Sequence, residues 1–267
     1  MPNDVKTTED LVLYESKDRI ATITINRPDK MNALSDGLVA QMREAMIRLQ
    51  QSDDMCAVVT AAGDRAFSVG ADLRDPPRET ALWECMPGVG VDVDKPLIAA
   101  VSGYCVGGAF CLVQFCDFAV ASESADFFYP EAQIGFCGGL IAGLAARLPH
   151  KIAMEFMLTG KHFDAQRAYE VGMVNKVVPV GQQVEAAMEY AEIMRDSAPM
   201  VVRTIKRFVR DTVVNRAPRS AAPSPNASCS RSAAGKTSRK AAAPSRKNAS
   251  LSSRKIGTSH RFREDLW

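Results

Sequence analysis

The chain is poor in the residues that build metal centres and in the runs that build membrane spans. It has three histidines in 267 residues, and His150 and His162 stand at no ligand spacing from another histidine, cysteine or acid. No metal is therefore expected. No apolar stretch approaches the length of a bilayer span, so no membrane partner is expected. The start, Met1 to Asp10, is polar and has no apolar signal core. The seven cysteines (positions 56, 85, 105, 111, 116, 137 and 229) form no C-x-x-C pair, and several lie in apolar runs. That argues against a disulfide framework and predicts buried free thiols in a reducing, cytoplasmic compartment. No G-x-G-x-x-G follows an early strand, which argues against a dinucleotide site. Ser102 sits in Ser-Gly-Tyr rather than in a nucleophile elbow.

Acid is missing from one long segment. Between Thr212 and Arg263 there is no Asp or Glu, while twelve Lys and Arg follow from Arg216 onward. Because the whole chain carries a net charge of only +2, the body before this tail is acidic. An acidic body is poorly suited to nucleic acid, which is not the partner expected; a basic tail could bind it.

What is present is an ordinary globular composition, 46% apolar and 24% charged, long enough to bury one sizeable core. Leu11–Glu15 and Arg19–Ile25 read as strands with a turn at Lys17-Asp18. Ser35 reads as the cap of a helix on which Leu38, Met42, Met46 and Leu49 recur, through Gln51. Short strands are expected at 57–60, 97–101, 117–121 and 175–178. A weak helix is expected at 79–85, and further helices at 107–115, 140–147, 153–158, 165–171, 183–195 and 200–211. Such alternation points to an α/β fold with layered sheets.

Two stretches carry the chemistry. Ala66-Phe67-Ser68-Val69-Gly70-Ala71-Asp72-Leu73 and Lys95 through Gly108 each read as a strand feeding a loop of small residues. Small residues admit a ligand close to the backbone. The second loop opens a helix, whose first N–H groups are unpaired and lie at its positive end. Two such donors converging on one point would hold a developing oxyanion. At these residues the chain resembles the crotonase (enoyl-CoA hydratase/isomerase) superfamily, from about Ile23 to about Lys206. The resemblance implies a spiral of β-β-α repeats (residues 1–198) followed by C-terminal helices, starting at 199–216, that assemble subunits into homotrimers or hexamers. It implies an acyl-CoA substrate, no separate cofactor, and Ala71 and Gly108 as the two N–H donors.

Tyr129-Pro130-Glu131-Ala132-Gln133-Ile134-Gly135 resembles the family segment that bears the second catalytic carboxylate, so Glu131 aligns with the acid/base. Its apolar neighbours Phe127, Phe128, Ile134 and Phe136 would raise its pKa by desolvation; a plain helix-start glutamate is the alternative. Arg27-Pro28-Asp29-Lys30-Met31-Asn32-Ala33-Leu34 resembles the loop that holds the CoA adenine and phosphates, with Arg27 and Lys30 as phosphate partners and Ala33 and Leu34 beside them. Leu73 and Phe136, with Val69, Trp83, Met86 and Leu140, are candidates for the acyl pocket, and Asp72 for a structural acid in the first motif.

Two departures stand out. Hydratases of the family carry a first glutamate in a G-G-G-x-E-L pattern, where this chain reads Gly107-Gly108-Ala109-Phe110-Cys111-Leu112. Cys111 is either a low-pKa thiol near a helix start or, as its apolar setting favours, a small buried residue. Water addition in the family uses two carboxylates and a double-bond shift needs one. The label is therefore enoyl-CoA hydratase-type, with Δ3-Δ2-enoyl-CoA isomerase as the alternative; Glu84 and Asp72 are the nearest replacement acids. The second departure begins at Ala217, where composition turns to Ser, Ala, Pro, Lys and Arg, too poor in large apolar residues to pack a helix. Back-translated from the third base of the Gly235 codon through Ser253, with wobble bases chosen freely, the segment reads E-D-F-K-E-G-R-R-A-F-A-E-K-R-K-P-E-F. That matches the family's usual C-terminal phrase, so residues 217–267 are read as a frameshifted, disordered tail that replaces the last helices. A non-catalytic CoA-ester or nucleic-acid-binding protein is the rival from another class.

Overall fold

The computed structural model describes residues 10–78, 81–136 and 139–212. The basic tail from Ala217, with the frameshift reading of it, lies outside the described residues, as do Glu79, Cys137 and Cys229.

The chain opens with an antiparallel hairpin, β1 (Val12–Lys17) and β2 (Ile20–Ile25), in which Lys17 pairs with Ile20. The turn is Asp18-Arg19, one residue later than expected, and both residues have positive φ (52° and 62°), as a two-residue hairpin turn of the primed type requires. Helix α1 (Asp36–Gln51) follows, and Ser35 Oγ accepts the Leu38 N–H at 3.4 Å. Leu38, Met42, Met46 and Leu49 are all buried, as their spacing predicts.

From there each repeat sends one strand to each of two sheets. β3 (Cys56–Ala61) joins the large sheet and β4 (Ala66–Ser68) the small one, followed by α2 (Ala81–Cys85). β5 (Leu97–Val101), β6 (Tyr104–Val106) and α3 (Gly108–Gln114) repeat the pattern. β7 (Phe118–Ser122), β8 (Asp126–Phe128) and α4 (Glu131–Ile134) repeat it again. A 3-10 segment at 139–146 stands where an α-helix over 140–147 was expected. Then come α5 (His150–Thr159), β9 (Phe163–Asp164), α6 (Ala165–Glu170), β10 (Lys176–Val178), α7 (Gln183–Arg195) and α8 (Pro199–Thr212).

The large sheet runs β1-β2-β3-β5-β7-β10 and is parallel from β2 onward; the small sheet runs β4-β6-β8-β9. Parallel strands must be covered on both faces. One face of the large sheet packs on α1 and the rest of the main core through Val59, Leu97, Ala99 and Val101. The other, with Val58, Ile98 and Val120, packs on α7, whose Ala186, Ala187 and Ala191 let that helix lie close. The β-β-α spiral is thus visible in the strand order itself. Among the described residues no helix is long and apolar enough to cross a membrane.

A buried cation closes α1. Lys95 is fully buried, and its Nζ donates to Leu49 O and Ser52 O at 2.6 Å each. These carbonyls end the helix, where its dipole favours positive charge. Lys95→Ala removes both charge-assisted bonds: Leu49 O keeps the Ser52 hydroxyl at 2.9 Å, but Ser52 O loses its donor, so the change is expected to cost about 2 kcal/mol. Urea unfolding of the two forms reads this directly.

Helix α8 is inverted relative to an ordinary surface helix. Its basic residues face the body: Lys206 Nζ lies 2.7 Å from Asp117 Oδ2 and from Lys95 O, Arg207 pairs with Asp94 at 3.1 Å and Arg210 with Asp92 at 2.6 Å. Val201, Ile205 and Phe208, on one stripe at i, i+4 and i+7, are exposed.

Candidate active site

The two small-residue loops lie side by side because the strands before them, β4 and β6, are neighbours in the small sheet. Gly70 has φ +85°, and a β-carbon there would lie 2.9 Å from Val106 O and 3.7 Å from Gly108 N. Only glycine permits both that conformation and that approach. Ser68 Oγ, fully buried, fixes the loop by accepting the Gly70 N–H at 3.2 Å.

The direction of the Ala71 N–H follows from its neighbours. Leu34 N–H donates to Gly70 O (2.8 Å) and Asp72 N–H to Leu34 O (2.9 Å). These bonds bracket Ala71 in a parallel bridge with Leu34. Successive backbone groups in such a bridge alternate sides, so the Ala71 N–H faces away from Leu34, and Ala71 itself is exposed. Gly108 is the first residue of α3, and the first backbone bond of that helix runs from Cys111 N to Gly107 O. The Gly108 N–H therefore belongs to the unpaired first turn.

Glu131 stands against the second loop. A β-carbon on Gly107 would overlap Glu131 Oε1, so the carboxyl lies beside the residue that precedes Gly108. Glu131 is 8% exposed. Burial lifts its carboxyl from 4.5 to about 7, opposed only by a hydrogen bond from its own backbone. Its Oε2 is buried and has no hydrogen-bond partner among the described residues. A carboxyl held half-ionised near neutrality, with one oxygen unspent, suits proton transfer.

Cys111, 3% exposed, is buried close enough to Glu131 to feel its charge. Desolvation, and then the charge of Glu131, raises its thiol far above the ordinary value. It is the small buried residue, not an activated thiol. Neither replacement acid is at liberty. Asp72 Oδ2 takes Arg27 Nη1 at 2.6 Å, and its Oδ1 accepts the Arg74 and Asp75 N–H groups. Burial opposes ionisation of Asp72, but these bonds outweigh it and hold the carboxyl below the usual range. Glu84 pairs with Arg78 at 3.5 Å on the surface.

The loop of Arg27 is built around an anchor that the sequence did not single out. Asn32, 1% exposed, donates through Nδ2 to Ala62 O and Ala66 O and accepts the Arg27 N–H, with φ +56°. Arg27 Nη1 also donates to Ala33 O at 3.1 Å, so part of that guanidinium is spent on the loop. Lys30 ends the 3-10 turn Pro28–Lys30 and is exposed. Ala33 and Leu34 are buried. Leu73 and Phe136 are exposed at 68% and 54%; the first follows Ala71 by two residues, and the second donates its N–H to Glu131 O. Met86 and Leu140 are buried in the main core.

A family model described as enoyl-CoA hydratase/isomerase matches residues 15–226. The chain belongs to the enoyl-CoA hydratase/isomerase family. It is 34% identical over 201 residues to the enoyl-CoA hydratase, mitochondrial, of Pongo abelii, covering 71% of this chain and 68% of that one. To the carnitinyl-CoA dehydratase of Salmonella heidelberg it is 36% identical over 203 residues, 72% and 77% of the two chains. A crystal structure of carnitinyl-CoA hydratase from Mycobacterium avium superposes with a TM-score of 0.70 at 33% identity, covering 78% of this chain and 84% of that one. The β-β-α spiral is thus the crotonase fold, and the chain is an acyl-CoA enzyme of the hydratase type. With Cys111 a neutral buried thiol, and Asp72 and Glu84 paired elsewhere, Glu131 is the carboxyl with an unspent oxygen beside Gly107 among the described residues.

Proposed function

We propose that this enzyme adds water to an enoyl-CoA thioester, or removes it from the 3-hydroxy form, with Glu131 as its only proton-carrying carboxylate. The observation that carries the reading is the unspent, near-neutral Glu131 carboxyl beside the Gly107-Gly108 backbone. The Ala71 and Gly108 N–H groups polarise the thioester oxygen, and each such donor contributes about 3 kcal/mol to the transition state. In hydration, Glu131 takes a proton from water as the water oxygen bonds to C3. The electron pair of the double bond moves onto the thioester oxygen as an enolate. Glu131 then returns that proton to C2 and the enolate collapses. One carboxyl suffices because the proton it takes is the proton it gives. The chemistry needs no group beyond the CoA thioester, with Arg27 and Lys30 at the CoA phosphates. A cytoplasmic setting fits five free cysteines among the described residues.

Δ3-Δ2 isomerisation is the second reading, favoured by Cys111. Here Glu131 would take a proton from C2 of a 3-enoyl thioester and return it to C4. Parallel assays of 2-enoyl-CoA hydration and 3-enoyl-CoA isomerisation separate the two. Hydration slower than isomerisation by about a hundredfold would reverse the assignment.

The homotrimer or hexamer implied by the family has support in the outward apolar stripe of α8, Val201, Ile205 and Phe208. A gene restored to the alternative frame after Asn215 is expected to give a larger assembly and higher activity than the present chain. Phe208→Glu in the restored form is expected to return it to the smaller size. Sedimentation velocity reads both, and equal size and activity of the two frames would refute the idea.

A further inference from the structure

Helix α2 places one side chain against the glycine that opens α3. Ala81 and Cys85, one turn apart, are buried and fix the helix to the core. That leaves Leu82 partly exposed, with its Cδ1 only 2.9 Å from where a β-carbon on Gly108 would stand. Leu34 Cδ1 lies 3.7 Å from the same point. The next residue, Trp83, fills the space left by Gly139, its Cζ2 and Cη2 at 3.2 and 3.4 Å from a β-carbon built there. Leu140, the residue after Gly139, is tied to α3 by Gln114 Nε2, which donates to Leu140 O at 2.8 Å. Leu82 and Trp83, consecutive on α2, therefore stand as a wall against the Gly108 and Gly139 backbones.

We infer that Leu82 is the specificity-determining residue for acyl length, closing the pocket so that short acyl groups are favoured. The inference rests on the proposed binding of a thioester oxygen at the Gly108 N–H. An oxygen bonded to that donor sits about 3 Å from the nitrogen. The acyl carbons beside it then lie within several ångströms of Gly108, where the Leu82 methyl already stands 2.9 Å from the β-carbon position. A short chain ends before the wall, whereas a long one has to displace Leu82.

The test measures calorimetric binding of butyryl-CoA and decanoyl-CoA to the full chain, which needs no turnover. The wild type is expected to favour butyryl-CoA. Leu82→Ala removes three heavy atoms and is expected to shift the ratio of dissociation constants toward decanoyl-CoA by about tenfold or more. Leu82→Phe is expected to shift it the other way. Binding of both esters with a ratio unchanged in Leu82→Ala overturns the assignment of Leu82 and leaves the thioester reading standing. Binding of neither ester by the wild type overturns both.

Discussion

Glu131→Gln is expected to lower kcat/KM by about a thousandfold and, at the same time, to make the protein more stable above neutral pH. Both effects have one cause. The carboxyl is buried against the Gly107 backbone and ionises only near pH 7, whereas in the unfolded chain it ionises near 4.5. Between those values the folded chain holds a proton that the unfolded chain has released. Stability therefore falls as pH rises from 4.5 through about 7, by an amount on the order of 3 kcal/mol when integrated. Glutamine has no charge to bury, so the variant lacks this decline. Urea unfolding at pH 5 and pH 8 should show the two proteins converging at the lower pH and separating at the higher. In the wild type, kcat/KM should rise with pH to a plateau, with an apparent pKa near 7, because Glu131 acts as a base in its ionised form. Full activity of the glutamine variant would remove Glu131 from the mechanism.

Much of this arrangement is readable from the chain, and the unread part has physical reasons. Helix α1 shows itself through four apolar residues at helical spacing and a serine cap, all confirmed in place. β3 and β5 are short runs buried on both faces, so they lack alternation but remain visible as apolar blocks. The small sheet is different. β6 and β8 have three residues each and β9 has two, too few to display a period, and their pairing is set by neighbours far away in sequence. The spiral was therefore inferred from resemblance and not from pattern. The hairpin turn was misplaced by one residue because neither Asp18 nor Arg19 is the glycine that usually marks a positive φ.

At the site, the glycine-rich loops and Glu131 could be named because their residue types carry the chemistry. Asn32, Ser68 and Leu82 could not, since each acts through where its side chain lands. The reason given for the pKa of Glu131 was only half correct. Phe127 and Phe128 are buried, but Ile134 and Phe136 are 63% and 54% exposed. The desolvation comes from the carboxyl's own burial rather than from a full apolar collar.

Gly107→Ala is expected to lower kcat/KM by about a hundredfold or more, because it strikes Glu131 without changing it. Gly107 has φ 55° and ψ −119°, a conformation that side chains rarely tolerate. An added methyl would also overlap Glu131 Oε1. The carboxyl has to move, and it moves away from the backbone that aligns it with the Gly108 donor. Strain alone would not have this effect, and Gly172 supplies the control. It also has a positive φ (77°), but a β-carbon there meets nothing within 4 Å. Gly172→Ala should lose about 1 kcal/mol of stability and keep its activity. Gly107→Ala should lose stability and activity together, and the pH at which its residual activity is half-maximal should move from about 7, since the environment that raises the Glu131 pKa is the one disturbed. If the two alanine variants lost activity equally, strain rather than displacement of Glu131 would be the cause.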